Sequence, residues 1–84
     1  MMSNVYAVRN LLSGLIDQMY VVCNDKVASV ELPIAYSRRS PLDEWQLVKV
    51  AVIDLETGAV EPCPMVVIPW DTRRLDSSVS SNLS

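Results

Sequence analysis

Asn4-Val5-Tyr6-Ala7-Val8-Arg9-Asn10-Leu11-Leu12-Ser13-Gly14-Leu15-Ile16-Asp17-Gln18-Met19-Tyr20-Val21-Val22 is the longest patterned apolar stretch of the chain. Val5, Val8, Leu12, Leu15, Met19 and Val22 recur at spacings of three and four, flanked by Leu11, Ile16 and Cys23, which is the signature of one helical face. Arg9, Asn10, Ser13, Asp17 and Gln18 fall on the other face. Ser3 and Asn4 suit an N-cap, and Asn24-Asp25 supplies turn chemistry at the far end. The pattern predicts one amphipathic helix from Asn4 to Val22, with an apolar side wide enough to cover a sheet. Gly14 would sit mid-helix at a cost of about 1 kcal/mol relative to Ala.

Outward from that stretch, Lys26-Val27-Ala28-Ser29-Val30-Glu31-Leu32 reads as a strand ended by Pro33, with Ile34-Ala35-Tyr36 as an edge continuation. Residues 37–44 form a polar loop holding Arg38-Arg39 and then Asp43-Glu44. Trp45 to Ile53 is the strongest strand, rich in Val and apolar on both faces. Strict alternation sends Val48, Val50 and Val52 one way and Leu47, Ala51 and Ile53 the other. Asp54 to Gly58 turns the chain as a three-residue hairpin with Gly58 in the left-handed position. The return strand begins at Ala59-Val60, and Pro62 and Pro64 mark it as an edge. No internal repeat is read. From Asp71 onward serine dominates, and Leu75, Val79 and Leu83 are spaced by four. The expectation is an α+β domain over residues 1–70, its N-terminal helix packed on a three- to four-stranded antiparallel sheet. A tail over 71–84 would be flexible or ordered on a partner.

At 84 residues, the chain allows one domain, and such a chain buries only about 60% of its unfolded surface. Half of the residues are hydrophobic, so apolar surface should remain for a partner or a second copy. The two cysteines, Cys23 and Cys63, are too few for a zinc site without histidine. Two free, buried thiols are the favoured reading, and a Cys23–Cys63 bridge is the alternative. With no leader read before them, they point to a reducing compartment, the cytoplasm. No apolar run approaches the ~18 residues that span a membrane.

Catalytic equipment is sparse. Without histidine there is no Ser-His-Asp or Cys-His arrangement, and two glycines cannot build a phosphate loop. Asp43, Glu44, Asp54 and Glu56 read as solvated turn residues, and Cys63 lacks a neighbouring positive charge. No cofactor or metal is expected. A net charge of −3, from seven basic and ten acidic residues, disfavours general nucleic-acid binding and is too weak for a DNA mimic.

The leading expectation is therefore a non-enzymatic protein-binding module: an inhibitor, adaptor or accessory subunit, acting as a homo-oligomer or with an obligate partner. Small acidic phage-encoded proteins share this build, an analogy of size and composition. Tyr36, Trp45 and Trp70, with Arg38, Arg39, Arg73 and Arg74, are the candidate binding residues, because Trp, Tyr and Arg dominate binding hot spots. Two alternatives are an assembly accessory protein whose tail orders on a neighbour, and a single-stranded nucleic-acid binder using those arginines and tryptophans.

Overall fold

In a computed structural model, which describes residues 1–75, the chain is a small α+β fold with a four-stranded antiparallel sheet. The elements are β1 (Met2–Asn10), β2 (Ile16–Val22), α1 (Asp25–Tyr36), β3 (Trp45–Asp54) and β4 (Val60–Ile68), with a short 3-10 turn at Leu42–Glu44. Strand order is β2-β1-β3-β4.

The expected N-terminal helix is a β-hairpin. Its reversal lies at Leu11–Gly14, where the Asn10 amide donates to the Leu15 carbonyl and the Gly14 amide donates to the Asn10 carbonyl, both at 2.8 Å. Asn10 Oδ1 accepts from the Leu12 and Ser13 amides, and Ser13 Oγ accepts from the Leu15 amide. Gly14 has φ +77, where a side chain is disfavoured, so it closes the turn and is no interruption of a helix. The helical spacing misled because β1 is a central strand. Tyr6 and Val8 face one way, Val5 and Ala7 the other, and all four are buried, so period two vanishes.

The second hairpin repeats the first. Its loop is Leu55–Gly58, four residues where three were expected, and Gly58 does take the left-handed position at φ +78. The Asp54 amide donates to the Ala59 carbonyl and the Gly58 amide to the Asp54 carbonyl, while Asp54 Oδ1 and Thr57 Oγ1 cap the Glu56 and Ala59 amides. The sequence carries the same echo, which corrects the reading of no repeat. Ala7-Val8-Arg9-Asn10-Leu11-Leu12-Ser13-Gly14-Leu15-Ile16-Asp17 aligns with Ala51-Val52-Ile53-Asp54-Leu55-Glu56-Thr57-Gly58-Ala59-Val60-Glu61. The pattern Ala-Val-x-(Asn/Asp)-Leu-x-(Ser/Thr)-Gly is kept in both. The Leu11 amide donates to the Glu44 carbonyl and the Leu55 amide to the Met1 carbonyl, so the two turns tie down opposite ends of the central β1–β3 pair alike.

The expected strand at Lys26–Leu32 is helix α1. Asn24 is its N-cap, its side chain accepting from the Val27 amide at 2.9 Å, and Asp25 sits in the first turn where the helix dipole favours an acid. Ala28, Ser29, Pro33 and Tyr36 form its buried stripe, joined by half-buried Leu32. Pro33 lies inside the helix instead of ending a strand. Lacking an amide, it leaves the Ser29 carbonyl without its helical donor. The Asp71 amide supplies that bond from the C-terminal segment at 3.0 Å.

β2 and β3 run parallel with β1 between them, so the chain must cross one face of the sheet to join them, and α1 makes that crossing. Tyr6, Val8, Leu47 and Trp45 pack beneath it with Ala28 and Tyr36. β4 is an edge strand, as its prolines require. Residues 76–84, with Asp76, Val79 and Leu83 of the expected tail, lie outside the described residues.

Gly14→Ala separates the two folds by sign. In a helix it would stabilise by about 1 kcal/mol, whereas in this turn, where a Cβ meets no neighbour, the positive φ alone makes it destabilise by ~1–2 kcal/mol. Urea unfolding monitored by circular dichroism reads the sign.

Candidate functional site

Opposed residues in a sheet share a face. The registers therefore place Ser3, Val5, Ala7 and Arg9 of β1 together with Ile16, Met19 and Val21 of β2, on the side away from α1. Gln46, Val48, Ala51 and Ile53 of β3 join them, with Val60, Pro62 and Val67 of β4. A bulge at Val50 breaks strict alternation: the pairing skips it on both sides, so Val48 shares its face with Ala51 and Ile53, while Val52 turns to the side of Leu47. The expected grouping of Val48, Val50 and Val52 against Leu47, Ala51 and Ile53 is corrected accordingly.

No described element covers this second face. Val5, Ala7, Val48 and Ala51 at its centre are buried only by their neighbours. Met19, Val21, Met65 and Val67 around them are each more than half exposed. Four strands about 4.8 Å apart and ~7 residues long give a sheet face on the order of 400 Å², and its exposed apolar side chains, on β2 and β4, flank the buried centre. Arg9 is the one charged residue among these paired positions. Among the described residues its Nη2 reaches only the Met65 sulfur, at 3.4 Å, and its buried Nε has no hydrogen-bond partner.

The other face holds an aromatic cluster. A bulge in β2 leaves Asp17 as an extra residue between the Val8–Gln18 and Arg9–Ile16 pairs. Its carboxylate accepts from Tyr36 Oη at 2.8 Å and from both terminal nitrogens of Arg39 at 2.8 and 3.2 Å. The Arg39 guanidinium also lies over the rings of Tyr36 and Trp45, with centroids 5.2 and 4.8 Å away. The Arg39 hydrogen bonds, aided by Tyr36, hold the Asp17 carboxyl below the usual range, so it stays an anion and a weak base. Tyr20 meets Tyr36 edge-on, hydroxyl to hydroxyl at 2.7 Å.

These contacts locate the residues expected from sequence. Tyr36, Arg39 and Trp45 come together. Trp45 is buried, its indole donating to Ser40 Oγ, and Trp70 donates to the Trp45 carbonyl at 3.2 Å. Arg73 pairs with Asp71 and Arg74 with Glu31, each away from the Arg39–Asp17 pair. Arg38 makes no ion pair among the described residues. Three of the four arginines thus carry a carboxylate. A hollow of about 650 Å³ lined by Asp25, Lys26, Trp70, Asp71 and Arg73 mixes both signs of charge.

The cysteines are unbridged, Cys63 half-buried and Cys23 exposed, which corrects the expectation that both are buried. Among the described residues no three acidic or thiol side chains gather to hold a metal ion, and no helix is long and apolar enough to cross a membrane. The residues that sequence reasoning missed are Arg9, Met19, Met65 and Val67. Their shared face follows from strand parity, which a helical reading of residues 4–22 hides.

Tyr6 gives the helix side a pH signature. Its ring is buried and its hydroxyl donates to Asp25 Oδ1 at 2.5 Å. Burial first, then this bond, raise its pKa from 10.0 to about 12, and burial raises Tyr36 further. A raised phenol pKa means that the folded chain keeps a proton the unfolded chain would release. That stability is intact below about pH 10 and is lost as pH rises through about 12. Tyr6 alone should account for ~2 kcal/mol of the alkaline loss. Chemical denaturation at about pH 9 and pH 12 should show that loss, reduced in Tyr6→Phe; an equal loss in both proteins contradicts it.

Compared with known proteins, the chain matches no family model, no curated protein and no solved structure, so its own geometry carries the functional argument.

Proposed function

We propose that this chain is a small, non-enzymatic protein-binding module that works through the open face of its sheet, as a homo-oligomer or with an obligate partner. The observation that carries the reading is the exposed apolar side chains of Ile16, Met19 and Val21 on β2 and of Val60, Met65 and Val67 on β4, flanking an apolar centre of Val5, Ala7, Val48 and Ala51, with no element of the described chain over them. An antiparallel sheet that meets only water on one face normally alternates apolar and polar residues. Here both faces of β1 and β3 are apolar, so the second face is built for contact. Burying it is favourable at about 25 cal/mol per Å² of apolar surface. Methionines at two of the most exposed positions adapt to irregular partners.

An inhibitor, an adaptor or an accessory subunit would each use such a face. The free thiols of Cys23 and Cys63 suit a reducing compartment, and we place the protein in the cytoplasm.

The test is a Met19→Lys/Val67→Lys variant. Both side chains are more than half exposed, so the fold should survive and circular dichroism should be unchanged. Analytical ultracentrifugation should show the native protein in an assembly, with itself or with a co-purified partner, and the variant as a free monomer. An assembly unchanged in the variant would place the binding surface elsewhere.

A further inference from the structure

Arg9 adds chemistry to the open face. It lies on β1 between Ile16 of β2 and Gln46 of β3, inside the apolar surface. A thioether is a weak acceptor, so among the described residues the guanidinium has no oxygen acceptor, and its buried Nε has no partner. Among the described residues no carboxylate forms an ion pair with Arg9: Asp25 accepts from Tyr6, and Asp43 and Glu44, in the turn before β3, are in no ion pair at all. Asp17 holds Arg39, Asp71 holds Arg73, Glu31 holds Arg74, and Asp54 and Glu56 lie by the amino terminus. Glu61 opposes Val52 and therefore turns to the helix side.

We propose that the open face receives a different protein, one that presents an apolar surface bearing a single carboxylate opposite Arg9. This rests on the reading of the open face as the binding surface. The carboxylate follows from the cost of covering a charge. An all-apolar partner would strand the guanidinium away from water, which weakens binding by ~100-fold or more. A carboxylate meets its planar fork with two parallel hydrogen bonds.

A second copy does not fit as well. Stacked on itself, the face offers Ser3 and Gln46 as its only other polar residues at the paired positions, and it brings a second Arg9 in place of an acid. Arg9 thereby works against self-association as well as for the right partner. Nucleic acid fits worse, because Tyr20, Tyr36, Trp45 and Trp70 all pack on the helix side and leave the open face no ring on which a base could stack.

The test uses the intact protein in two arms. In the first, sedimentation equilibrium compares the native chain with Arg9→Met. The native chain should self-associate at least ~10-fold more weakly than the variant. A native chain that dimerises through the open face as tightly as Arg9→Met overturns the inference and leaves the binding surface standing. In the second, peptides are selected against the native chain from a displayed library of randomised sequences. Those whose binding is lost in Met19→Lys/Val67→Lys should share an Asp or Glu, and changing it to Asn or Gln should weaken binding ~10–100-fold in the native chain but not in Arg9→Met. Open-face binders without a shared acid overturn the carboxylate alone. A selection that yields no binder sensitive to Met19→Lys/Val67→Lys overturns the inference and the reading it rests on together.

Discussion

The reversal at Leu11–Gly14 fixes what the rest of the chain can do. Gly14 in the left-handed region, with Asn10 and Ser13 capping the loop amides, folds β2 back on β1 and leaves the other edge of β1 free for β3. The antiparallel β1–β3 pair then forms the centre of the sheet, and the matching turn at Leu55–Gly58 adds β4 on the far side. Two hairpins built on one local pattern leave the chain a single crossing to make, from β2 to β3. That crossing is α1, and it covers one face.

The cover and the open face are unlike in chemistry. Under α1, polar atoms find partners within the chain: Tyr6 with Asp25, Tyr36 and Arg39 with Asp17, and the two indoles with Ser40 and the Trp45 carbonyl. Even the carbonyl freed by Pro33 is answered, by Asp71. This side is internally complete. The open side is aliphatic and sulfur-rich, and its one cation is left short of acceptors. The aromatic rings, which with arginine dominate binding hot spots in general, pack together on the helix side, whereas Arg9 stands on the open one.

Much of the second half was legible. β3 was plain from its Val-rich run, the turn from Asp54 and Gly58, and the edge position of β4 from Pro62 and Pro64. The first half is hidden in the sequence for two physical reasons. A central strand apolar on both faces loses its period of two, and the leucines of the first loop filled the gap with helical spacing. In α1, Val27, Val30 and Pro33 look like a strand and its end, yet the Asn24 cap and the packing of Ala28, Leu32 and Tyr36 on the sheet outweigh those local preferences. The echo of Ala7–Asp17 in Ala51–Glu61 carried the missing signal, since a segment read as a hairpin the second time should be one the first time. The open face could not be found before the strand parity was known, and Arg9 with it.

Four methionines make the central claim directly measurable. Met1, Met2, Met19 and Met65 are 78%, 59%, 59% and 52% exposed, so peroxide should oxidise all four in the isolated chain. Met19 and Met65 belong to the open face, whereas Met1 and Met2 stand at the amino terminus. Mass spectrometry of the bound protein after peroxide treatment should show Met19 and Met65 protected while Met1 and Met2 still oxidise. Equal oxidation of all four in the bound protein would contradict the open face as the binding surface.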